Sequence, residues 1–384
     1  MAVSRIHLGV SAGLLVCAAH GACAQSPVIP PEMKLAALPR SAIDPPDNPS
    51  TPEKVALGRL LFFDPVLSAT EKVACSTCHH PRYGWADGRA TPLGVGGRGI
   101  GPQRLLSEPS GIEPLQRNTP GLLNVGFNGL VSGSTYDPEK APMFWDAREA
   151  GLEAQLLHPI RSRAEMRGDA CADSEAVAAM VDRVRRVTGY REKFSHAFPE
   201  QSHEPITATT IAAAVAAFER SLIGGNSPFD RFQRGDSTAL TEPQQRGMKT
   251  FEKAGCIQCH GGPMFSDFKR HVIGVPGTGA DDRQALRTPT LRNLGLTAPY
   301  LHRGQARTLE DVLIFYEQLM DTVSETLDGG DASLDPPLDP LLKHLHLEVA
   351  DFPDLLAFLD ALNDQSHDTR VPDSVPSGLP VSGE

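Results

Sequence analysis

The feature that most constrains this chain is a five-residue pattern that occurs twice, once in each half. It reads Cys-Ser-Thr-Cys-His at residues 75–79 and Cys-Ile-Gln-Cys-His at residues 256–260. Two thiols three positions apart can form thioethers with the two vinyl groups of one haem, and the histidine that follows can ligate the iron from below. The sequence therefore predicts two covalently bound haem c groups. The residues that would hold them are Cys75, Cys78 and His79 for the first haem and Cys256, Cys259 and His260 for the second.

Two other uses of cysteine pairs have to be weighed against haem attachment. Four cysteines could bind one zinc ion tetrahedrally, and a single pair could form a thioredoxin-like redox centre. Neither use explains why a histidine follows each pair, whereas haem attachment requires it. Cys171 lies outside both motifs, and we expect it to be a partly buried free thiol.

The first 24 residues have the pattern of an export signal. Arg5 gives a positive start, an apolar run follows over residues 8–19, and Ala22-Cys23-Ala24 forms a small-residue cleavage site. The apolar run is too short to span a bilayer. We therefore expect cleavage near Ala24 and a periplasmic mature protein, with lipid attachment at Cys23 as the alternative.

Hydrophobic periodicity predicts a mainly α-helical chain with extensive coil, folded as two cytochrome c-like haem domains. Glycine- and proline-rich stretches predict irregular loops between the helices, and strand patterns are few and short. The formal net charge of −11 argues against a nucleic-acid binder, which typically has a basic face. The predicted helices begin near Thr51 and at Thr241, and cover residues 174–187, 207–222, 308–319 and 351–362.

The same patterns predict the domain boundaries. A proline-rich leading segment should cover residues 25–51, and a disordered tail should cover residues 365–384. The N-terminal haem domain is expected at residues 52–205 and the C-terminal haem domain at residues 206–364.

An internal repeat connects the two halves. Residues 119–126 match residues 288–295 at five of eight positions, and each copy follows its own haem motif. A second similar segment comes later, Gly151-Leu152-Glu153 in one half and Thr308-Leu309-Glu310 in the other. Extending that register sets Pro159 opposite Tyr316. Different residues at equivalent places predict two unequal haems, one for a reaction and one for electron transfer.

These residues resemble the bacterial di-haem cytochrome c peroxidases, including the MauG-type members. The similarity covers most of the mature chain and is carried by residues 57–64, 117–120, 144–148 and 298–300. The resemblance implies a peroxidase that uses hydrogen peroxide at the N-terminal haem. It also implies that the C-terminal haem transfers electrons.

The resemblance also assigns roles to individual residues. Glu165 lies twenty positions after Trp145, which matches the catalytic glutamate and the tryptophan between the haems in this family. A carboxylate beside a peroxide can move a proton from its inner to its outer oxygen. Gln155 and Pro159 match distal positions of MauG-type enzymes. Without the resemblance, Glu165 would be interpreted as a solvated acid and Trp145 as a core aromatic.

The sequence departs from the gated members of the family at both distal positions. Gated peroxidases hold a histidine on the first haem, but none is present near Val95, so the first site should be open in the resting enzyme. At the second haem Tyr316 stands where gated members have methionine, and an anionic oxygen ligand favours ferric iron. A core tyrosine is the alternative for Tyr316. Ala254 replaces the surface tryptophan that MauG uses to oxidise its partner protein.

The resemblance further implies a calcium ion between the domains, with oxygen ligands from Asn118, Thr297 and Pro299. Three functions remain open at this stage. The first is reduction of hydrogen peroxide with electrons from a small periplasmic redox protein, either a c-type cytochrome or a copper protein. The second is MauG-like oxidation of residues in a partner protein, and the third is non-catalytic electron transfer with both irons fully ligated.

Overall fold

The computed structural model describes residues 30–383 except for 108–110, 132–135, 202, 276–283 and 324–335. The predicted export signal lies outside these residues. Within the described part of the chain, no helix has both the length and the apolar character needed to cross a membrane.

The fold is mainly helical with much irregular chain, as the sequence predicts. The helices are α1 (Pro52–Phe63), α2 (Cys75–Cys78), α3 (Leu152–Gln155), α4 (Leu157–Arg161), α5 (Ala176–Arg186), α6 (Thr188–Ala197), α7 (Ala208–Arg220), α8 (Pro228–Gln233), α9 (Glu242–Lys253), α10 (Leu309–Val323) and α11 (Phe352–Asp360). Three antiparallel two-stranded sheets join β1 (Gly97–Arg98) to β2 (Leu105–Leu106), β3 (Pro142–Met143) to β4 (Glu149–Ala150), and β5 (Arg270–His271) to β6 (Leu286–Arg287).

The helix starts follow from local capping. The Thr51 side chain accepts a hydrogen bond from the backbone N–H of Lys54 at the start of α1, where Pro52 occupies the first helical position. Thr241 and Gln244 form a capping box that starts α9, as predicted. Each of these helices leads into a haem motif.

One helix pair recurs in each half. α1 packs on α7 so closely that a Cβ atom added to Gly58 would lie 1.9 Å from the carbonyl oxygen of Ala214. α9 packs on α11 in the same way, and a Cβ atom on Gly247 would lie 1.9 Å from the carbonyl oxygen of Asp354. Only glycine allows this approach of two backbones. The repeat found in the sequence therefore extends to the helices that support each haem motif.

The predicted domain boundary at residues 205 and 206 is wrong. α7 follows that boundary, yet it packs on α1, and all its residues from Thr210 to Arg220 are buried. The predicted apolar face of Ile211, Val215 and Phe218 lies inside the core of the N-terminal haem unit. The predicted boundary lies in the polar sequence just before α7, but a buried helix belongs to the same unit as the helix that covers it. The N-terminal unit therefore continues through α7.

The predicted disordered tail is also wrong. From Asp368 onward the tail contacts the N-terminal haem unit: the carbonyl oxygen of Asp368 accepts from the indole N–H of Trp85, and Val375 is buried in the core. The hydroxyl of Ser377 donates to Asp64 at 2.6 Å, and Ser382 bonds Ser76 at 2.9 Å inside the first haem motif. The tail is rich in proline and glycine, so it forms no long helix, but specific hydrogen bonds hold it in place.

The first described part of the leading segment, residues 33–38, packs on the C-terminal half of the molecule. The carbonyl oxygen of Met33 accepts from the backbone N–H of Gly262 at 3.0 Å. The backbone N–H of Leu38 donates to Asp230 at 2.9 Å, and Asp230 forms a fully buried ion pair with Arg292. The two ends of the described chain thus cross over, each binding beside the haem motif of the other half.

Candidate active site

Both haem motifs border one continuous cavity of about 740 Å³. The walls of this cavity are mainly apolar, and a few polar side chains point into it. The predicted site residues that line it are Cys75, Cys78, His79, Asn118, Trp145, Gln155, Pro159, Glu165, Cys256, Cys259, His260, Thr297, Pro299 and Tyr316. The structure therefore brings together every residue that the sequence singled out for the site.

The two motif histidines are held in the form that ligates a metal. Nδ1 of His79 lies 3.0 Å from the carbonyl oxygen of Trp85, and Nδ1 of His260 lies 3.1 Å from that of Phe265. A carbonyl oxygen only accepts, so each Nδ1 carries the proton and each Nε2 keeps a free lone pair. Burial lowers the pKa of His79 to about 4 and also lowers that of His260. Both rings are neutral at pH 7.

The four motif cysteines fit haem attachment better than zinc binding. All four are free thiols, and burial raises the pKa of Cys78 and of Cys256 to about 12. Across the described ranges, the one group of three side chains that could hold a metal ion is Cys259, Asp267 and His271, so the two cysteine pairs do not converge. Each pair with its own neutral histidine instead suits one haem.

Glu165 lies at the first haem motif, in a turn of π-helix at Arg163–Arg167. Burial raises the pKa of its carboxyl, whereas a hydrogen bond from Ser162 and the charges of Arg148 and His158 oppose the shift. The neutral and the ionised forms are therefore closer in free energy than in an exposed glutamate. This property suits a group that accepts and returns a proton.

The segment where gated peroxidases have a histidine packs directly against Glu165. The backbone N–H of Val95 donates to the carbonyl oxygen of Glu165 at 3.1 Å. A Cβ atom on Gly94 would lie 2.0 Å from the carbonyl oxygen of Ala164. A valine side chain has no ligand atom, so this segment supports Glu165 and supplies no group to an iron.

The residue that shapes this segment was missed by the sequence reasoning. Arg104 is buried, and its guanidinium donates to the carbonyl oxygens of Leu93 at 2.6 Å, Gly94 at 2.5 Å and Gly97 at 2.9 Å, and also to Gly99. A single arginine among glycines looks like an exposed loop residue. Its only sequence signal is the spacing of the glycines, which leaves room for a side chain beneath the loop.

Trp145 connects the two halves within the cavity. Its indole N–H donates to the carbonyl oxygen of Asn118 at 2.8 Å, and its own carbonyl accepts from the backbone N–H of Arg287 at 2.7 Å. The ring meets that of His302 edge to face, with centroids 6.5 Å apart. Residues from both repeats therefore fix the orientation of this indole between the two motifs.

Tyr316 lies on α10 and borders the cavity near the second motif. Leu309 begins α10, as Leu152 begins α3, so the helices start in the register that sets Tyr316 opposite Pro159. In the protein alone, burial raises the pKa of the Tyr316 hydroxyl well above its usual value, and the thiols of Cys259 and Cys256 add to this shift. A nearby iron would act in the opposite direction, because a bound cation favours the phenolate.

Two further charged groups border the cavity and were missed by the sequence reasoning. His271 lies 2.9 Å from Asp267 and 2.6 Å from Asp339. Although burial opposes it, pairing with these carboxylates and a hydrogen bond to Cys259 raise the pKa of His271 to about 11. The second group is Glu219, a buried acid on α7. Glu219 lies far in sequence from the motif it faces, and His271 has a partner in the distant Asp339, so no local pattern identifies either group.

This geometry defines a c-type protein with two haem sites in one shared cavity. A family model described as di-haem cytochrome c peroxidase matches residues 52–238 of the chain. The methylamine utilization protein MauG of Methylorubrum extorquens is 36% identical, over 84% of this chain and 82% of that protein. The cytochrome c551 peroxidase of Nitrosomonas europaea is 31% identical, over 69% and 73% respectively.

A solved structure gives the same result. The crystal structure of a MauG-like protein associated with microbial copper homeostasis has a TM-score of 0.66 and 30% sequence identity, and the match covers 86% of this chain and 95% of that one. The chain therefore belongs to the di-haem cytochrome c peroxidase family, and it is an enzyme of the peroxidase type. The predicted family, fold class and two-haem composition are confirmed.

Proposed function

We propose that this chain reduces hydrogen peroxide to water at the first haem site. In this reaction one H₂O₂, two electrons and two protons give two molecules of water. The observation that carries the proposal is the inequality of the two motifs within one cavity. A partly buried acid, Glu165, lies near Cys78 of the first motif, whereas Tyr316 lies near the cysteines of the second, and its counterpart in the repeat, Pro159, has no ligand atom.

A haem at the first motif would supply an iron that binds peroxide and passes electrons to it. The protein supplies the proton chemistry. Glu165 would take the proton from the inner oxygen of peroxide and return it to the outer oxygen, so that the O–O bond breaks with water as the leaving group. The backbone contact from Val95 and the Arg104 hydrogen bonds hold this part of the site. Gln155 borders the same cavity, and we propose that its side chain orients the peroxide.

The second motif and Trp145 would bring in the electrons. A small redox protein, either a c-type cytochrome or a copper protein, is the proposed donor. The indole of Trp145 donates to the carbonyl oxygen of Asn118 in one half and contacts the ring of His302 in the other, which favours it as the route between the haems. The predicted export signal supports a periplasmic location.

A second candidate function is the oxidation of residues in a partner protein. Tyr316 favours it, because an anionic oxygen ligand stabilises ferric and higher iron states. The position two residues before the second motif opposes it, since Ala254 there is 2% exposed and has no aromatic ring. Peroxide reduction therefore remains the leading proposal.

A calcium ion between the halves is a further proposal. Nδ2 of Asn118 donates to the carbonyl oxygen of Arg89 at 2.6 Å, so Oδ1 is the atom available to a cation. Asn118, Thr297 and Pro299 border the same cavity and would offer the hard oxygen atoms that Ca²⁺ prefers. Treatment with a calcium chelator should change the spectrum of the resting enzyme if an ion is present there.

The test compares peroxide turnover in the wild type and in Glu165→Gln. The variant keeps the size of the side chain but cannot carry the proton, so turnover with a reduced small cytochrome should fall about 10²–10⁴-fold. Mass spectrometry should find two haems in both proteins. Asp169→Asn, which alters an exposed carboxylate paired with Arg163, is the matched control and should retain turnover.

Three outcomes would contradict the proposal. Near-wild-type turnover of Glu165→Gln would remove its proton carrier. A resting spectrum with only low-spin haem and no reaction with peroxide would indicate an electron carrier. Covalent change in a co-expressed partner, without turnover of reduced cytochrome, would favour the second candidate function.

A further inference from the structure

Glu219 is a buried carboxyl group that the proposed mechanism does not use. It is the penultimate residue of α7, it is 6% exposed, and it borders the cavity. It lines this cavity together with Cys75 of the first haem motif, and its charge raises the pKa of the Cys75 thiol. A carboxyl group in an apolar wall is costly to keep unless it has a function or a partner.

The second half of the molecule has no acid at the equivalent position. A Cβ atom on Gly58 would lie 2.8 Å from the Cβ atom of Phe218, and one on Gly247 would lie 2.8 Å from that of Phe358. The next residue is Glu219 in the first half and Leu359 in the second. Leu359 is also buried and also borders the cavity. At equivalent positions in the cavity wall, the side chain is therefore acidic in the first half of the molecule and apolar in the second.

The charged groups around Glu219 are already engaged elsewhere. Arg220 on the same helix bonds Glu153 of α3 at 2.6 Å and lies 3.3 Å from Asp44. From α1, Arg59 lies over the ring of Phe218, 4.6 Å from its centroid, and pairs with Asp368 of the tail. From α2, the neighbour is Cys75, which becomes an uncharged thioether once a haem is attached. Each of these two cations already pairs with another anion, so neither forms an ion pair with Glu219.

We propose that Glu219 is the proton-binding partner of the first haem. When the iron of that haem gains one electron, one proton from water binds to the Glu219 carboxylate, and when the iron loses the electron the proton leaves. Because the proton compensates the charge of the electron, the total charge around the first haem stays the same when the iron is reduced or oxidised. The proposal rests on a haem at the first motif, but it does not require that the enzyme acts on peroxide.

Electrostatics in a buried chamber favours this coupling. An added electron repels a nearby carboxylate, and this repulsion is stronger in an apolar wall than in water. Burial raises the pKa of Glu219 to about 8, although Arg220 opposes the shift. Protonation is thus close to neutral pH, where a change of one charge on the iron can reverse it. Leu359 offers no such site to the second haem.

The experiment is a potentiometric titration of the purified two-haem protein at a series of pH values. One proton bound per electron makes the potential of the first haem fall by about 59 mV for each pH unit, since this is the voltage of a tenfold change for a one-electron couple. Glu219→Gln should remove this slope and leave the potential near the low-pH value of the wild type. It should not change the potential of the second haem.

A second variant tests the assignment of the proton to Glu219 by changing Glu153, which pairs with Arg220. Glu153→Gln should keep the slope but move its window to lower pH, because the negative charge of Glu153 raises the pKa of Glu219. A further measurement needs only the wild-type protein. The infrared spectrum of the reduced form minus that of the oxidised form should show a new C=O band from a protonated carboxyl group. This measurement keeps the proposal testable if Glu219→Gln does not fold.

The proposal is overturned if the wild-type potential of the first haem does not depend on pH. It is also overturned if Glu219→Gln keeps the full slope, which would assign the proton to another group such as Glu165. A carboxyl band that persists in the variant would likewise assign the proton to another group. No peroxide is present in the titration, so these outcomes do not bear on peroxide turnover, which is tested separately.

Discussion

The hydroxyl of Thr77 joins the first haem motif to the C-terminal tail, and its removal should destabilise the N-terminal haem unit. Thr77 is fully buried; it accepts from the backbone N–H of Ala74 at 2.9 Å and donates to the carbonyl oxygen of Ser382 at 2.6 Å. Thr77→Val keeps the shape but leaves both partners unsatisfied. Each buried unsatisfied group costs about 1–3 kcal/mol. Because the tail can move and expose its carbonyl to water, we expect a total loss of about 2–4 kcal/mol.

The second motif provides the matched control. Gln258 occupies the same position there, and its buried Nε2 has no hydrogen-bond partner in the described part of the chain. Gln258→Met removes a polar group that makes no bond, so the free energy of unfolding should stay the same or rise slightly. The contrast between the two variants isolates the contribution of the tail.

The assay is urea unfolding followed by circular dichroism and by the absorption of the first haem. With a urea dependence of about 1–3 kcal/mol per molar, a loss near 3 kcal/mol lowers the midpoint by at least about 1 M. A chain that ends at Val381 should lose a similar amount, and adding Thr77→Val to it should cost less than in the full chain. A loss below about 0.5 kcal/mol, or full additivity with the truncation, would refute the role of the tail.

Three other results are expected. The peroxide reaction needs ionised Glu165, whose pKa is raised by burial, so the reaction should be lost as the pH falls through a value above that of a free glutamate. Arg148→Gln should move this loss to higher pH, because the charge of Arg148 lowers that pKa; an unchanged pH profile would argue against Glu165 as the base. Electron paramagnetic resonance of the resting enzyme should show one high-spin and one low-spin haem, and Tyr316→Phe should alter only the low-spin signal. Val95→His should convert the first haem to a low-spin form that reacts slowly with peroxide, and a persistent high-spin signal would contradict this.

Local sequence patterns predicted the parts of this protein that depend on short-range chemistry. The spacing of Cys75, Cys78 and His79 is fixed by the haem it serves, and the capping of α1 and α9 involves residues three positions apart. The internal repeat is visible in the sequence, and the close helix contacts at Gly58 and Gly247 show that it extends to the helices of both halves. These features need no knowledge of the rest of the chain.

The features that sequence reasoning missed depend on partners far away in the sequence or on backbone groups. The tail looked disordered because it has little periodicity, yet Ser382 meets Thr77 from 305 residues away. Arg104 looked like a loop residue, but its partners are carbonyl groups, which leave no mark in the side-chain sequence. α7 was assigned to the wrong half because nothing local reports that α1 covers it. Tertiary contacts decide each of these cases.

The repeat itself gives the most direct argument about how the two haems became unequal. The backbone of both halves is alike where it can be compared, since Asn124 and Asn293 both adopt a positive φ ahead of matching turns. A shared backbone gives both haems the same cysteine pair and the same neutral histidine, so the difference must come from the side chains around them. Pro159 and Tyr316 hold equivalent positions in the repeat and both border the cavity, and Glu219 in the first half corresponds to Leu359 in the second. On the proposed mechanism, these few side-chain differences on a duplicated backbone would give the first haem an open site with proton-binding groups and the second a closed site suited to electron transfer.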